Sequence, residues 1–232
     1  IKGLGMVGVN ITIPHKEAVI KFLDDISEEA RLIGAVNTIV NKGSRLIGHN
    51  TDAYGYVASI KGDCKFNPKD KSIVILGAGG AARAVLAALA ESGAKKIIIA
   101  NRTLSRASNI LRTFKRKFPN TKFEAIGLEK EMLKEYFKDI NLLINTTSVG
   151  MDKKEILEIP LDALPKTAIV SDIIYNPLQT RLIRKADKLG LAAHGGLSML
   201  INQGAKSFKL WTGIDAPVNI MRNAALKVLK AL

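Results

Sequence analysis

A glycine-rich turn after an apolar run is the part of this sequence that points most directly to chemistry. The run Ile73–Leu76 predicts a buried strand, and Gly77 would allow the tight turn after it. Gly79 would let the backbone approach a pyrophosphate, and Ala82 would let the following helix pack closely on the strand. Such a turn also joins strand and helix without any ligand. Its position between a predicted strand and a predicted helix favours a dinucleotide site.

A second motif, Asn101-Arg102-Thr103, indicates which dinucleotide would bind. It ends the next predicted strand, where a cofactor with a free ribose 2′-hydroxyl usually meets Asp or Glu. Arg106 follows one helical turn later. Because a guanidinium matches the geometry of a phosphate, these residues predict NADP(H) rather than NAD(H).

The composition fits a protein with one or two domains and a substantial core, since 47% of its 232 residues are hydrophobic. No apolar run approaches the ~20 residues of a membrane helix, and nothing at the start resembles a signal peptide, so no membrane partner is expected. Cys64 is the single cysteine, which excludes an internal disulfide and fits a cytoplasmic location. It has no second cysteine or nearby histidine, so we expect an inert thiol and no metal site.

The formal net charge of +14 raises the question of nucleic-acid binding. The one dense basic cluster, Arg112–Lys117, has helical spacing and lacks an aromatic platform for base stacking. We interpret it as the solvated face of a helix and expect no nucleic-acid partner. The overall positive field would still attract a polyanionic cofactor and an acidic substrate.

The predicted elements divide into a short leading α/β segment and a nucleotide-binding unit. In the leading segment we predict a strand at Val7–Ile13, a helix at Lys16–Leu23 and a hairpin turn at Asn41-Lys42-Gly43. From residue 73 to 145, predicted strands alternate with predicted helices. That alternation specifies a parallel sheet covered on both faces, with ligands at the carboxyl ends of the strands.

Polar side chains are concentrated where these strands should end. Taken singly, each is typical of a turn or a helix cap, but together they would form a rim suited to a hydroxylated substrate. They occur at Asn10, Thr12, Lys16, Asn37, Thr38, Asn50–Asp52, Asn145–Gly150, Asp172–Pro177 and Gly195–Gln203.

In their order along the chain, seven motifs resemble those of the shikimate dehydrogenase family. They are Asn10–Lys16, Ala35–Thr38, Gly48–Asp52, Gly77–Ala82, Asn101–Arg106, Ile174–Pro177 and Gly196–Met199 with Gln203. The resemblance implies NADP-dependent interconversion of 3-dehydroshikimate and shikimate on an α/β fold. The predicted fold has a Rossmann-type doubly wound parallel sheet domain at 59–198. A smaller α/β substrate domain, made of 1–58 and 199–232, would form the other side of the cleft.

The resemblance also implies roles for individual residues. Lys16 would be the catalytic lysine and Asp52 its acidic partner, because an ammonium can stabilise and protonate the alkoxide that forms when hydride reaches a ketone. From the residues alone, a helix-surface lysine is the favoured interpretation of Lys16 and a helix cap that of Asp52. The implied substrate contacts are Thr12, Asn37, Asp52, Tyr175 and Gln203. The implied cofactor contacts are Gly77, Ala78, Gly79, Gly80, Ala81, Ala82, Asn101, Arg102, Thr103, Arg106, Thr147, Ile173, Gly196 and Met199.

The sequence departs from the family pattern at its beginning. Members carry a Ser-x-Ser-Pro motif whose hydroxyls hold the substrate carboxylate, and no such motif precedes Ile1. We therefore expect a substrate domain that is incomplete at its N-terminus and binds shikimate weakly. The alternatives are a quinate or aminoshikimate dehydrogenase of the same family, a catalytically impaired NADP-binding fragment, or a basic nucleic-acid binder. A small-molecule substrate and a monomer or homodimer are expected.

Overall fold

The computed structural model describes residues 1–152 and 157–231, and these residues form two β-sheets connected by helices. The smaller sheet has the strand order β1-β3-β4-β2 and the larger one the order β10-β9-β8-β5-β6-β7. The strands are β1 (Gly8–Asn10), β2 (Asp25–Ile26), β3 (Thr38–Lys42), β4 (Arg45–His49), β5 (Ser72–Leu76), β6 (Lys96–Ala100), β7 (Lys122–Ile126), β8 (Leu142–Asn145), β9 (Ile169–Asp172) and β10 (Ala192–His194).

Helices surround both sheets. The α-helices are α1 (Glu28–Ile33), α2 (Asp52–Cys64), α3 (Gly80–Glu91), α4 (Leu104–Lys117), α5 (Lys130–Phe137), α6 (Arg181–Lys188), α7 (Leu197–Thr212) and α8 (Val218–Leu229). Short 3-10 helices lie at Lys2–Leu4, Ala18–Phe22 and Leu161–Ala163. Among the described residues, each helix is too short or too polar to span a membrane.

The larger sheet confirms the predicted doubly wound fold. Every pair of neighbouring strands in it is parallel, and β5 lies between β6 and β8. One face packs against α3 and α4 and the other against α5 and α6, so each face has its own buried apolar cluster. Burial on both faces explains why β5, β6 and β8 are continuous apolar runs rather than alternating ones.

The smaller sheet is mixed. β3 pairs antiparallel with both β1 and β4, whereas β2 pairs parallel with β4. The predicted hairpin is present, but Lys42 pairs with Arg45, so its turn is Gly43-Ser44 rather than Asn41-Lys42-Gly43. Both turn residues have positive φ, 55° and 68°, as a two-residue type I′ turn requires.

Two predictions for the leading segment are wrong in extent or type. The strand predicted at Val7–Ile13 is shortened to β1, because the chain turns where the His15 amide bonds to the Thr12 carbonyl. The helix predicted at Lys16–Leu23 is a 3-10 helix at Ala18–Phe22. The Lys16 carbonyl accepts a hydrogen bond from the Val36 amide at 2.8 Å, so it bonds to the segment before β3 rather than within a helix.

Helices α2 and α7 connect the two sheets. α2 leaves the smaller sheet after β4 and leads to β5 of the larger one, and it packs along α7. The two helices meet at Gly55, where an added Cβ would lie 2.8 Å from Gln203 Cβ and 2.9 Å from the Met199 carbonyl. Near the end of α7, Trp211 donates a 2.9 Å hydrogen bond to the Ile39 carbonyl of β3. These contacts hold α7 against the smaller sheet.

Candidate active site

A largely buried ion pair joins Lys16 to Asp52. The distance from Lys16 Nζ to Asp52 Oδ2 is 2.7 Å, and the two side chains are 14% and 7% exposed. Lys16 lies on the turn before the first 3-10 helix that follows β1, and its backbone is fixed by the bond to Val36. Lys16 is therefore not a helix-surface lysine, since its ammonium points into the protein and is oriented by a carboxylate.

Asp52 occupies the first position of α2. Its backbone amide and that of Ala53 donate to Asn50 Oδ1 at 3.1 and 3.4 Å, so the Asn50 side chain rather than that of Asp52 satisfies the first amides of the helix, whose N-cap residue is Thr51. Asn50 Nδ2 donates in turn to the Ala35 carbonyl at 2.9 Å. The positive end of the helix dipole stabilises a carboxylate at this position. Asp52 is thus free to use its side chain for the lysine.

The Asn37 amide links Asp52 to Gln203. The Thr51 backbone amide donates to Asn37 Oδ1 at 2.8 Å, and because an N–H group can only donate, the Asn37 NH2 group must face the other way. There it lies 3.0 Å from Asp52 Oδ1, 2.9 Å from Thr51 Oγ1 and 3.2 Å from Gln203 Oε1. Three oxygens thus surround two hydrogens, and Gln203 Oε1, at the longest of these distances, is the one best placed to bond to a ligand instead.

Behind this cluster lies a buried hydroxyl network centred on Ser207. Ser207 Oγ is 2.7 Å from Thr38 Oγ1 and 3.1 Å from Thr51 Oγ1, and it accepts from Asn10 Nδ2 at 3.2 Å. It can also donate to the Gln203 carbonyl at 3.0 Å. Sequence reasoning missed Ser207. Its spacing of four residues from Gln203, which places both on one face of α7, is the signal that could have found it.

Replacing Ser207 with alanine is expected to lower the free energy of unfolding by about 1–3 kcal/mol, because buried polar partners lose a hydrogen bond. Urea unfolding measures the effect. Ser105→Ala, at an exposed position of α4, is the control and should stay within about 0.5 kcal/mol of the unaltered protein. Equal changes in the two variants would contradict a stabilising network at Ser207.

The glycine turn after β5 has a backbone conformation that favours glycine. Gly77 has a φ of +104°, which L side chains rarely adopt, and an added Cβ would lie 2.9 Å from Thr147 Cγ2. Gly79 precedes α3 with no side-chain cap, and the first turn of α3 contains no acidic residue. The amide groups at this helix start are therefore suited to an anion. Ala82 is fully buried, as the close packing of helix on strand requires.

This turn lies directly beside Lys16. A Cβ added to Gly80 would be 3.7 Å from Lys16 Cβ and 3.8 Å from Lys16 Cδ. The structure thus brings together residues from the start, the middle and the end of the chain, with the Lys16–Asp52 pair against the start of α3. Thr12 and Tyr175 are exposed, and neither hydrogen-bonds to this pair within the described residues.

The motif after β6 forms an exposed basic turn. Asn101 Nδ2 donates to the Thr103 carbonyl at 2.8 Å and holds the turn in place. Arg102 and Arg106 are exposed, and among the described residues neither has an acidic partner within ion-pair distance. Further along α4, Arg112 and the basic residues after it are exposed on the helix face, as predicted.

The start of α7 packs against the loop after β9. A Cβ added to Gly196 would overlap the Ile173 carbonyl group, and the Gly196 amide donates to the Ile174 carbonyl at 3.1 Å. Met199 is 7% exposed one helical turn further on. Nowhere in the described residues do three His, Cys, Asp or Glu side chains come together to hold a metal ion.

Comparison with known proteins identifies the family to which this arrangement belongs. A curated shikimate dehydrogenase (NADP(+)) from Methanopyrus kandleri is 45% identical over 230 residues, which are 98% of this chain and 79% of the relative. The chain belongs to the shikimate dehydrogenase family. Three family models match it in order: the shikimate dehydrogenase substrate binding domain at 1–39, shikimate / quinate 5-dehydrogenase at 60–174, and the shikimate 5′-dehydrogenase C-terminal domain at 196–226.

Solved structures of the shikimate dehydrogenase fold agree with the observed architecture. A shikimate 5-dehydrogenase from Thermus thermophilus, in complex with NADP(H) and shikimate, is 38% identical with a TM-score of 0.84, over 96% of this chain and 79% of that one. A ligand-free 5-ketofructose reductase of a Gluconobacter species is 39% identical with a TM-score of 0.86, over 98% and 80%. Proteins named for different substrates thus share this fold, and the substrate must be argued from the residues of the site.

Proposed function

We propose that this chain is an NADP-dependent oxidoreductase that interconverts 3-dehydroshikimate and shikimate. The observation that carries the proposal is that Lys16, paired with Asp52, lies close to Gly80, so that its side chain is near the helix start that would hold the cofactor phosphates. The identity with NADP-dependent shikimate dehydrogenases over nearly the whole chain supports the same activity.

The chemistry assigned to the chain's own residues is proton transfer and positioning. Bound NADPH would supply the hydride that reduces the carbonyl carbon. As the carbonyl oxygen becomes negative, the Lys16 ammonium stabilises that charge and donates its proton, which yields the alcohol. In the reverse direction the neutral Lys16 amine accepts the hydroxyl proton. Asp52 fixes the position of Nζ in both directions through the 2.7 Å bond.

The proposed substrate contacts rest on the acceptors that surround the Asn37 amide. Three oxygens surround its two hydrogens, so a substrate hydroxyl can replace Gln203 Oε1 or bind beside it. Asp52 can accept a hydroxyl hydrogen in addition to those of Lys16 and Asn37. Thr12 and Tyr175 would complete the contacts from exposed positions at the edge of the site.

The cofactor contacts are proposed along the carboxyl ends of the parallel strands. Residues 77–82 would bind the pyrophosphate, whereas Asn101 to Arg106 would surround the 2′-phosphate. Thr147, Ile173, Gly196 and Met199 would line the nicotinamide half. In this arrangement 59–198 form the NADP-binding domain, and 1–58 with 199–232 form the substrate domain. A cytoplasmic location and a monomeric or homodimeric state remain predictions.

Cofactor preference is one test of this proposal. NADP(H) is expected to bind at least about tenfold tighter than NAD(H), equivalent to about 1.4 kcal/mol, and Arg102→Ala should remove most of the difference. Fluorescence titration with both reduced cofactors measures it. Arg112→Ala, which removes an exposed arginine further along α4, is the matched control and should keep the preference. Equal affinities for NADPH and NADH in the unaltered protein would overturn the assignment.

The substrate itself is tested by following NADPH oxidation with three ketones: 3-dehydroshikimate, 3-dehydroquinate and 5-ketofructose. The proposal requires the highest kcat/KM for 3-dehydroshikimate. A higher kcat/KM for 3-dehydroquinate would indicate a quinate dehydrogenase. A higher kcat/KM for 5-ketofructose would indicate the activity of the reductase that shares the fold.

A further inference from the structure

Asp172 is a buried carboxylate that the proposed mechanism does not use. It ends β9, is fully buried, and no lysine, arginine or histidine among the described residues forms an ion pair with it. Burial raises the pKa of its carboxyl group, whereas hydrogen bonds from Thr180, Ile174 and Asn145 oppose that shift. A buried carboxyl group destabilises the fold unless its oxygens accept hydrogen bonds. The groups that donate to Asp172 therefore show which segments this carboxyl group connects.

One carboxyl oxygen reaches the loop beside the glycine turn. Asn145 Nδ2 donates to Asp172 Oδ1 at 3.1 Å, which leaves Asn145 Oδ1 facing the other way. That oxygen accepts from both the amide and the hydroxyl of Thr147, at 3.0 and 2.7 Å. The Thr147 methyl group in turn lies against Gly77. Asp172 therefore fixes, through Asn145, the residue that packs on the cofactor turn.

The same carboxyl oxygen fixes the opposite side of the proposed nicotinamide site. The Ile174 amide donates to Asp172 Oδ1 at 3.2 Å, and the Ile174 carbonyl accepts from the Gly196 amide at 3.1 Å. The Ile173 carbonyl lies against Gly196, so this segment determines where α7 starts. The other oxygen, Oδ2, accepts from Thr180 Oγ1 at 2.7 Å, and Thr180 also caps α6.

We propose that Asp172 is a positioning residue for the dinucleotide, which sets the distance between the Thr147 side and the Ile173–Gly196 side of the cofactor site. The proposal rests on the proposed function, because it assumes that NADP(H) occupies the space between these two sides. Its physical basis is that Oδ1 accepts hydrogen bonds from both sides at once. Removing the carboxyl group leaves only the backbone pairing of β8 with β9, including the 3.1 Å bond from the Ile173 amide to the Asn145 carbonyl, to connect them.

The test compares three variants by NADPH fluorescence titration and thermal melting. Asp172→Ala removes the hydrogen bonds that Oδ1 accepts from Asn145 and from Ile174, and it is expected to weaken NADPH binding at least about tenfold. Asp172→Asn retains Oδ1 and can donate to Thr180 Oγ1, so its affinity should stay within about threefold. Thr180→Val removes the bond to Oδ2 and the cap of α6, but it leaves both hydrogen bonds to Oδ1 intact. It should lower Tm while leaving NADPH affinity within about threefold.

The outcomes separate positioning from general stability. If Thr180→Val loses as much NADPH affinity as Asp172→Ala, or if Asp172→Ala binds NADPH like the unaltered protein, the proposal is wrong. Should Asp172→Ala fail to fold, Asn145→Ala removes only the connection from Asp172 to Thr147. This variant must still weaken NADPH binding. Absence of NADPH binding by the unaltered protein would instead contradict the proposed function, so the two failures are distinguishable.

Discussion

Lys16→Ala is expected to lower the turnover number by a factor of about 10²–10⁴ while NADPH affinity changes by no more than a few fold. The variant loses the group that protonates the developing alkoxide, but Gly77, Gly79 and the start of α3 remain in place for the cofactor. Steady-state kinetics with NADPH and 3-dehydroshikimate measure turnover, and fluorescence titration measures cofactor affinity. Loss of both together would point to a collapsed site rather than to a missing proton donor.

A matched lysine provides the control. Lys21 lies in the adjoining 3-10 helix and is exposed, with its ammonium 5.0 Å from the Phe22 ring centre. Lys21→Ala should therefore leave turnover unchanged. Lys16→Ala also leaves Asp52 buried without its cation, which can cost about 3–5 kcal/mol, so thermal melting must show that the variant is folded at the assay temperature. Turnover near that of the unaltered protein would exclude Lys16 as the proton donor.

Gly196→Ala is expected to lower Tm by roughly 2–12 °C and to weaken NADPH binding at least about tenfold. The added methyl group would overlap the Ile173 carbonyl, which belongs to rigid backbone, so the start of α7 and the loop after β9 must separate. Overpacking of this kind costs about 1–3 kcal/mol, and for a chain of this size each kcal/mol lowers Tm by about 2–4 °C. Thermal melting and NADPH titration measure the two effects.

The neighbouring glycine is the control for this substitution. A Cβ added to Gly195 would lie 3.6 Å from the Leu178 carbonyl, an ordinary van der Waals distance, and Gly195 does not have a positive φ. Gly195→Ala should therefore leave Tm within about 2 °C, since substitutions without such conflicts usually change stability by less than about 0.5 kcal/mol. If both alanine variants lost equal stability, crowding at Ile173 could not be the cause.

The sequence predicted the larger sheet more accurately than the smaller one, and the reason is physical. Strands such as β5 and β8 are buried on both faces, so their apolar runs mark their limits to within a residue. The segment around Lys16 is shaped instead by a bond from the Val36 amide, 20 residues away by numbering. No local pattern reports such a contact, which is why a regular helix was expected where a turn and a 3-10 helix are found.

The candidate site was predictable only in part. Lys16 and Asp52 are 36 residues apart, and the motif order of the family, rather than any periodicity, indicated that they would meet. Ser207 and the linkage from Asp172 to Thr147 were not foreseen, because buried hydrogen-bond networks depend on how elements pack. A single polar residue in a helix or at a strand end is more typical of a cap, a turn or an exposed face than of a buried hydrogen-bond network.

The closeness of Lys16 to Gly80 has a thermodynamic consequence. The side chain that would donate a proton to the substrate also forms part of the surface on which the cofactor would bind. A shift of Lys16 caused by one ligand would therefore couple the two binding events, and the few-fold effect expected of Lys16→Ala on NADPH affinity implies that this coupling is weak. Such coupling is reciprocal, so the factor by which NADP(H) changes substrate affinity must equal the factor by which substrate changes NADP(H) affinity.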